Sequence, residues 1–75
     1  MAKAENIKCE ILETFIEFPG TREYHLELNL VKWGDNEPKY DLRRWNGDRS
    51  KMSKGLTLSK EELLILQDEL SNIKF

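Results

Sequence analysis

The chain has 75 residues, of which 39% are hydrophobic and 35% charged, and its formal net charge is −2. This length predicts one domain over residues 1–75 with a small core, and the composition excludes a disordered chain. The single cysteine excludes an intramolecular disulfide, and one cysteine with one histidine makes no recognised metal site, so self-association is the expected source of extra stability.

Residues 1–6 are expected to be flexible, and they contain no apolar run of the kind found in signal peptides. No stretch of the chain approaches the ~20 apolar residues of a membrane helix. We therefore expect a soluble protein of the cytoplasm with no membrane partner, and association with the nucleoid is compatible with this expectation.

Residues 7–18 are expected to form a first strand whose alternation is interrupted. Apolar side chains occupy odd positions up to Ile11, whereas Leu12 and the apolar residues at positions 16 and 18 are even. Because a one-residue slip moves the apolar set to the other face, a β-bulge or bend at Ile11 and Leu12 is predicted, and with it a curved strand. Pro19 and Gly20 fit the centre of a type II turn with a positive φ at Gly20.

Residues 23–33 and 39–45 are expected to form a hairpin around the polar loop 34–38. If Trp33 pairs roughly with Lys39, the odd-numbered residues of both strands share one face. This basic-aromatic face carries Val31, Trp33, Lys39, Arg43 and Trp45. The opposite leucine face, which is the expected core side, carries Tyr24, Leu26, Leu28, Leu30, Tyr40 and Leu42. Arg44 shares its parity, so it is expected to be a rim cation or a dimer contact.

A short fourth strand over residues 55–58 precedes a helix over residues 60–73. Ser59 and Glu62 form a capping box at its start. An apolar stripe on the helix, expected to face the leucine face, consists of Leu63, Leu66, Leu70 and Ile73. Leu64 and Ile65 lie off this stripe and are either ordinary exposed residues or the interface of a homodimer, and the small core favours the interface.

The positive charge is concentrated in residues 39–54, whose net charge is +4, while the preceding residues sum to −4 and the following ones to −2. A local basic block in an acidic chain suggests an anionic partner. Cations for phosphates and aromatic rings for unpaired bases are the requirements for binding single strands. The candidate nucleic-acid-binding residues are Trp33, Lys39, Arg43, Trp45, Arg49, Lys51 and Lys54. Alternatively, the tryptophans pack internally and the cations form a solvated edge.

The sequence gives little support for an enzyme. His25 lies between Glu23 and Glu27 and is expected to be a surface residue, because no nucleophile accompanies it. Cys9 is expected to be inert, and no phosphate-binding glycine loop is present. We therefore expect no catalytic residues, no metal and no cofactor.

Two segments resemble a known family. The residues KYDLR at 39–43 and KMSKGLTLS at 51–59, followed by a helix, are similar to the core of the transcriptional coactivator family of positive cofactor four. LVKWG at 30–34 and PKYD at 38–41 are most similar to its small bacterial YdbC-like branch. The resemblance covers roughly residues 24–70.

The resemblance implies an α+β fold: a curved four-stranded antiparallel sheet followed by one C-terminal helix packed on one face, in a homodimer. It also implies binding of single-stranded DNA with little sequence preference through the sheet. By position, Arg43, Trp45 and Lys54 match family residues, and Lys51 lies where the family also has a cation. This chain has Met52 and Ser53 where the family often has Pro-Gly, and it lacks the Ser-rich and Lys-rich tail of eukaryotic members.

The sequence thus predicts a homodimeric single-stranded DNA-binding protein that acts in transcription, replication or repair and contacts proteins of those systems. Two alternatives stay open. One is a protein-interaction module of the transcription machinery that uses the sheet or the helix surface. The other is single-stranded RNA as the natural ligand, since backbone and stacking contacts are common to both nucleic acids.

Overall fold

The structure is a computed structural model, and it describes residues 9–20 and 23–75. Their secondary structure comprises β1 (Cys9–Glu17), β2 (His25–Trp33), β3 (Lys39–Trp45), β4 (Met52–Leu58) and α1 (Lys60–Leu70). The strands form one antiparallel sheet in the order β1-β2-β3-β4. This confirms the predicted α+β architecture of four antiparallel strands and a C-terminal helix. The expected flexibility of residues 1–6 falls outside the described residues.

The predicted irregularity in β1 is present. Ile11 pairs with Val31 and Glu13 with Leu30, so Leu12 is the extra residue of a bulge. A second register shift lies between residues 14 and 16 and was not predicted. Because each extra residue bends its strand and increases the local twist, β1 is irregular along much of its length.

The β2–β3 hairpin places the odd-numbered residues of both strands on one face, as predicted. Lys39 pairs with Val31 and not with Trp33, a difference of two residues that leaves the parity unchanged. Gly34 has a positive φ of 56° in the connecting turn, and Asn36 N donates to Trp33 O at 3.0 Å. The connection therefore presents the same faces as predicted.

Gly20 does not have the positive φ that the predicted type II turn requires; among the described glycines, that conformation occurs at Gly34. The constraint at Gly20 is a close approach of the chain. A Cβ there would lie 3.0 Å from His25 Cβ and 3.1 Å from Tyr24 O. The type II turn was thus the wrong interpretation of a glycine that makes room for the start of β2.

The more buried side of the sheet is the basic-aromatic face, not the leucine face. Among the described residues, the buried hydrophobic side chains are Val31 (0% exposed) and Trp45 (4%), and the buried polar ones are Glu27, Asn29 and Asp41. The leucines of β2 are only half-buried, and Tyr24 is 39% exposed. Parity predicted the faces correctly, but the assignment of the core to the leucine face was wrong. Arg43 and Arg49 pair with the carboxylates of the odd-numbered set, and this face is the more buried one.

The helix begins as predicted and ends earlier. Ser59 Oγ accepts the Glu62 amide proton at 3.1 Å, and Ser59 N donates to Glu62 Oε1 at 2.9 Å, which completes the capping box. The helix ends at Leu70 and not at residue 73. Ser71 Oγ donates to Asp68 O at 2.6 Å, and this local side-chain bond competes with continuation of the helix. β4, in turn, begins three residues before its predicted start.

An apolar groove of about 520 Å³ lies between the leucine face and the helix. Leu63, Leu66 and Leu70 line it from the predicted stripe, and Leu64 joins them. Ile73 lies beyond the helix and is exposed. Leu66 is still 40% exposed and Leu70 42% exposed, so the groove is open to solvent. In the part of the chain that the structure describes, no helix is long and apolar enough to cross a lipid bilayer.

Candidate nucleic-acid interface

The centre of the basic-aromatic face is a buried ion pair on β3. Arg43 Nε donates to Asp41 Oδ1 at 2.7 Å, and Arg43 Nη2 donates to Asp41 Oδ2 at 2.8 Å. The Asp41 side chain is 0% exposed and that of Arg43 12%. The guanidinium also lies over the Trp33 ring, 4.7 Å from its centroid. This bidentate geometry fixes the plane of the guanidinium against the indole.

A further set of contacts ties Arg43 to β4. Its Nη1 approaches Met52 Sδ and Ser53 O, both at 3.4 Å, so all three guanidinium nitrogens are engaged. Gly55 pairs with Arg43 across the sheet, and a Cβ at Gly55 would lie 2.3 Å from Arg43 Cβ. The glycine therefore makes room for the arginine. Arg43, predicted as a phosphate contact, is mainly a scaffold residue with little capacity left for a ligand.

A second buried carboxylate, Glu27 on β2, organises the other end of the face. Its side chain is 1% exposed, and it accepts hydrogen bonds from Asn29 Nδ2 at 3.0 Å and Arg49 Nη2 at 2.8 Å and contacts His25 Nε2. Burial alone would raise the pKa of Glu27, but the hydrogen bonds from Asn29, Arg49 and His25 outweigh it and lower the pKa. The carboxylate is therefore ionised at neutral pH. His25, with its side chain 18% exposed, is part of this network and not the surface residue predicted.

Arg49 fastens the loop between β3 and β4 onto the first two strands. Besides Glu27, its Nη2 contacts Thr14 Oγ1 at 2.9 Å and a carboxylate oxygen of Glu17 at 3.5 Å. Arg49 has a φ of 62°, a left-handed conformation that is uncommon for residues other than glycine. Like Arg43, this predicted phosphate contact is largely compensated by carboxylates of the chain.

Three side chains near Arg49 have the composition of a metal site. Ligand atoms of Glu17, His25 and Glu27 lie within 4.8 Å of one another. The guanidinium of Arg49 contacts both carboxylates, and its single positive charge offsets one of their two negative charges. The cluster is therefore already engaged by a cation of the chain itself.

The lysines differ from the arginines. Lys39, Lys51 and Lys54 are exposed, and within residues 9–20 and 23–75 none of their side chains has an ion-pair or hydrogen-bond partner. Arg44 is also exposed; its backbone N–H donates to Ser53 Oγ at 3.2 Å, and its side chain has no partner among the described residues. On β3, β4 and the loop between them, the cations free to meet a ligand are therefore these lysines and Arg44.

The two tryptophans occupy different environments. Trp33 is half-buried, whereas Trp45 is 4% exposed and lies at the register shift between β3 and β4. The Nε1 atoms of both are buried, and neither has a hydrogen-bond partner among the described residues. The predicted stacking role does not fit the burial of Trp45, while Trp33 stays a candidate together with the guanidinium above it.

Two open pockets lie near the ends of β3. The hairpin pocket, of about 760 Å³, is lined by Trp33, Asn36, Glu37, Lys39, Arg43 and Thr57. The loop pocket, of about 500 Å³, is lined by Glu23, Tyr24, Asn46, Gly47, Asp48 and Lys51. Glu37 and Asn36 were not predicted as pocket residues, and Tyr24 was predicted to belong to the core. An aromatic residue immediately before a strand was the available signal, since alternation stops applying at a strand end.

Cys9 is half-buried at the start of β1. Burial raises the pKa of its thiol, the charge of Asp41 acts in the same direction, and the charge of Arg43 opposes them. The thiol is therefore protonated at neutral pH and is a weak nucleophile.

Comparison with known proteins adds one relative. The chain is 42% identical over 50 residues to an uncharacterized protein of Treponema pallidum (strain Nichols). The matched region is 67% of this chain and 59% of that protein, so the chain spans about three-fifths of the relative it matches. No protein-family profile matches the chain.

Proposed function

We propose that this protein binds single-stranded nucleic acid, with DNA as the expected strand, on the basic-aromatic face, the adjoining β3–β4 loop and the start of β4. The observation that carries the proposal is the contrast between paired arginines and unpaired lysines. Arg43 and Arg49 are held by buried carboxylates, while Lys39, Lys51 and Lys54 are exposed and unpaired in the described structure. A single strand needs unpaired cations for its phosphates and a flat group on which an unpaired base can stack. The lysines and the aromatic-guanidinium stack provide these two features.

The arrangement supports a path along β3. Lys39 stands at one end of this strand beside the hairpin pocket, and Lys51 lines the loop pocket near the other end. Seven residues of strand span roughly 20 Å. Each pocket combines an aromatic ring with a lysine, so each offers a place for a base and a cation for its phosphate. Duplex DNA keeps its bases stacked, and this supports single strands as the ligand.

Family membership is part of the same proposal. The motifs at 39–43 and 51–59 resemble positive cofactor four, and the four-stranded antiparallel sheet with its C-terminal helix is compatible with that resemblance. On this basis the sheet is curved, and the protein acts in transcription, replication or repair. RNA is the alternative strand, because the contacts proposed here do not involve the 2′-hydroxyl.

We also propose that the protein is a homodimer in which a second copy covers the apolar groove. Leu64, Leu66 and Leu70 are between 40% and 50% exposed in the single chain. Among the described hydrophobic residues only Val31 and Trp45 are buried, which is a small core even for 75 residues. Exposed apolar patches of this kind mark interaction sites.

The helix residues predicted for the dimer interface differ in position. Leu64 lines the groove, whereas Ile65 is 63% exposed and lies outside it.

The same groove favours the second candidate function, a protein-interaction module. In that case the purified chain is a monomer and the groove holds a segment of another protein.

Substitution of single lysines tests the surface. Lys51→Ala and Lys54→Ala should each weaken binding of a 20-nucleotide oligo-dT and reduce the magnitude of the log-log salt slope by about 0.7, the value per phosphate contact on single strands. Lys60→Ala is the matched control, because Lys60 is an exposed lysine on the helix. Unchanged affinity and slope in both the Lys51 and the Lys54 variant, with binding intact, would refute the proposed surface.

A further inference from the structure

The hairpin pocket has a fixed wall and an adjustable rim. The wall is the Arg43 guanidinium, held by Asp41 and stacked on Trp33, with Thr57 beside it. The rim consists of exposed side chains from the β2–β3 turn and the first residue of β3. The volume of about 760 Å³ is within the range of pockets that hold small organic molecules.

The rim carries one negatively charged and one positively charged side chain, and neither is neutralised within the described structure. Glu37 and Lys39 both line the pocket, and neither side chain has an ion-pair partner there. Lys39 can meet a phosphate at the pocket mouth, while the Glu37 carboxylate can accept hydrogen bonds from a group inside it. A carboxylate repels a phosphate, so Glu37 does not suit a pocket that binds phosphate alone. Because a carboxylate accepts hydrogen bonds, Glu37 suits a ligand that also donates N–H groups.

Unpaired bases differ in the donors that they offer to a carboxylate. Guanine presents N1–H and the N2 amine side by side, so both carboxylate oxygens can accept at once. Cytosine and adenine offer one exocyclic amine. Thymine offers one N–H between two carbonyl oxygens, and these repel a carboxylate. Two parallel bonds to a charged group are the strong case in base recognition.

We propose that the hairpin pocket is a base-recognition subsite that selects guanine, with Glu37 as the specificity-determining residue. This inference rests on the proposed single-strand binding and modifies it. The contacts with the phosphate backbone do not depend on the base sequence, whereas the base bound in this one subsite of each protomer is selected. The base stacks on the exposed side of the Arg43–Trp33 pair, Glu37 accepts its N1–H and N2–H, and Lys39 contacts the adjoining phosphate.

Three 12-nucleotide strands test the inference by fluorescence anisotropy: all dT, dT with one central guanine, and dT with one central hypoxanthine, which lacks the N2 amine. The guanine strand should bind the full-length protein at least about fivefold more tightly than all dT. The hypoxanthine strand should show little of this increase in affinity over all dT. Equal affinities for the three strands would refute the guanine subsite while leaving single-strand binding intact, whereas binding of none of them would refute the proposed function itself.

Glu37→Gln and Asp35→Asn separate recognition from general electrostatics. Both residues are exposed in the same turn and both changes remove one negative charge, but only Glu37 lines the pocket. Glu37→Gln should abolish the affinity ratio between the guanine strand and all dT, and Asp35→Asn should keep that ratio. A preference that survives Glu37→Gln would overturn the assignment of Glu37, and a preference lost equally in both variants would make it a long-range charge effect.

Discussion

Replacement of Arg43 by alanine should affect the stability of the fold more than any direct contact with a ligand. The change leaves the Asp41 carboxylate, which is 0% exposed, without its bidentate partner. Removal of one member of a buried ion pair costs about 3 to 5 kcal/mol. A chain of 75 residues has a total unfolding free energy of roughly 4 to 11 kcal/mol. Arg43→Ala should therefore lose a large part of that stability.

Thermal unfolding followed by circular dichroism measures this effect. Since 1 kcal/mol corresponds to about 4 to 8 °C in a domain of this size, Tm should fall by roughly 12 to 40 °C. Arg44→Ala is the matched control, because the neighbouring arginine is exposed and its side chain has no partner within the described residues; its Tm should change by a few degrees at most.

A double variant distinguishes the loss of the pair from the loss of the side chain's packing. Asp41→Leu combined with Arg43→Met replaces both charges by apolar groups and should recover much of the stability that Arg43→Ala loses. If Arg43→Ala unfolds within a few degrees of the parent protein, the reasoning that makes Arg43 a scaffold residue is refuted.

Three further predictions concern the face, its titration and the groove. Gly55→Ala should destabilise the protein by about 1 to 3 kcal/mol in urea unfolding, because the new Cβ would lie 2.3 Å from Arg43 Cβ; an unchanged midpoint would contradict this packing. The lowered pKa of Glu27 means that its contribution to stability is present above its unfolded pKa of about 4.3 and is lost as the pH falls through the lower folded value. Glu27→Gln should thus be less stable at pH 7 and lose less on acidification from pH 5 to pH 3, and an identical acid dependence in both proteins would argue against the network. Leu66→Glu should convert a dimer to a monomer in sedimentation experiments, and a parent protein that is already monomeric would refute the proposed dimer.

Local signals in the sequence predicted the elements well. The bulge followed from a change of parity at Leu12, and the start of the helix from Ser59 and Glu62. Both depend on residues within four positions of each other, so the chain itself carries the information. The parity of β2 and β3 survived an error of two residues in the pairing because side chains alternate with a period of two.

Long-range pairing could not be predicted in the same way. Glu27 and Arg49 are 22 positions apart, and nothing near either residue indicates the other. Asp41 and Arg43 are only two positions apart, but the burial of their pair was not predicted either, since a strand of alternating polar residues normally indicates a solvated face. The burial of the basic-aromatic face therefore came from partners that only the assembled sheet brings together, and it changed the roles expected of Arg43, Arg49 and Trp45.

Binding of a labelled 20-nucleotide oligo-dT and of a matched duplex, titrated by anisotropy at several salt concentrations, tests the central claim most directly. We predict a clear preference for the single strand and a log-log salt slope of about −2 per protomer, because the proposed surface has three exposed, unpaired lysines, Lys39, Lys51 and Lys54, and each contributes about −0.7. A slope near −3.5 would mean that Arg43 and Arg49 also contact phosphates and that their carboxylate pairs open. Equal binding of both ligands, or no binding at low salt, would contradict the proposed function.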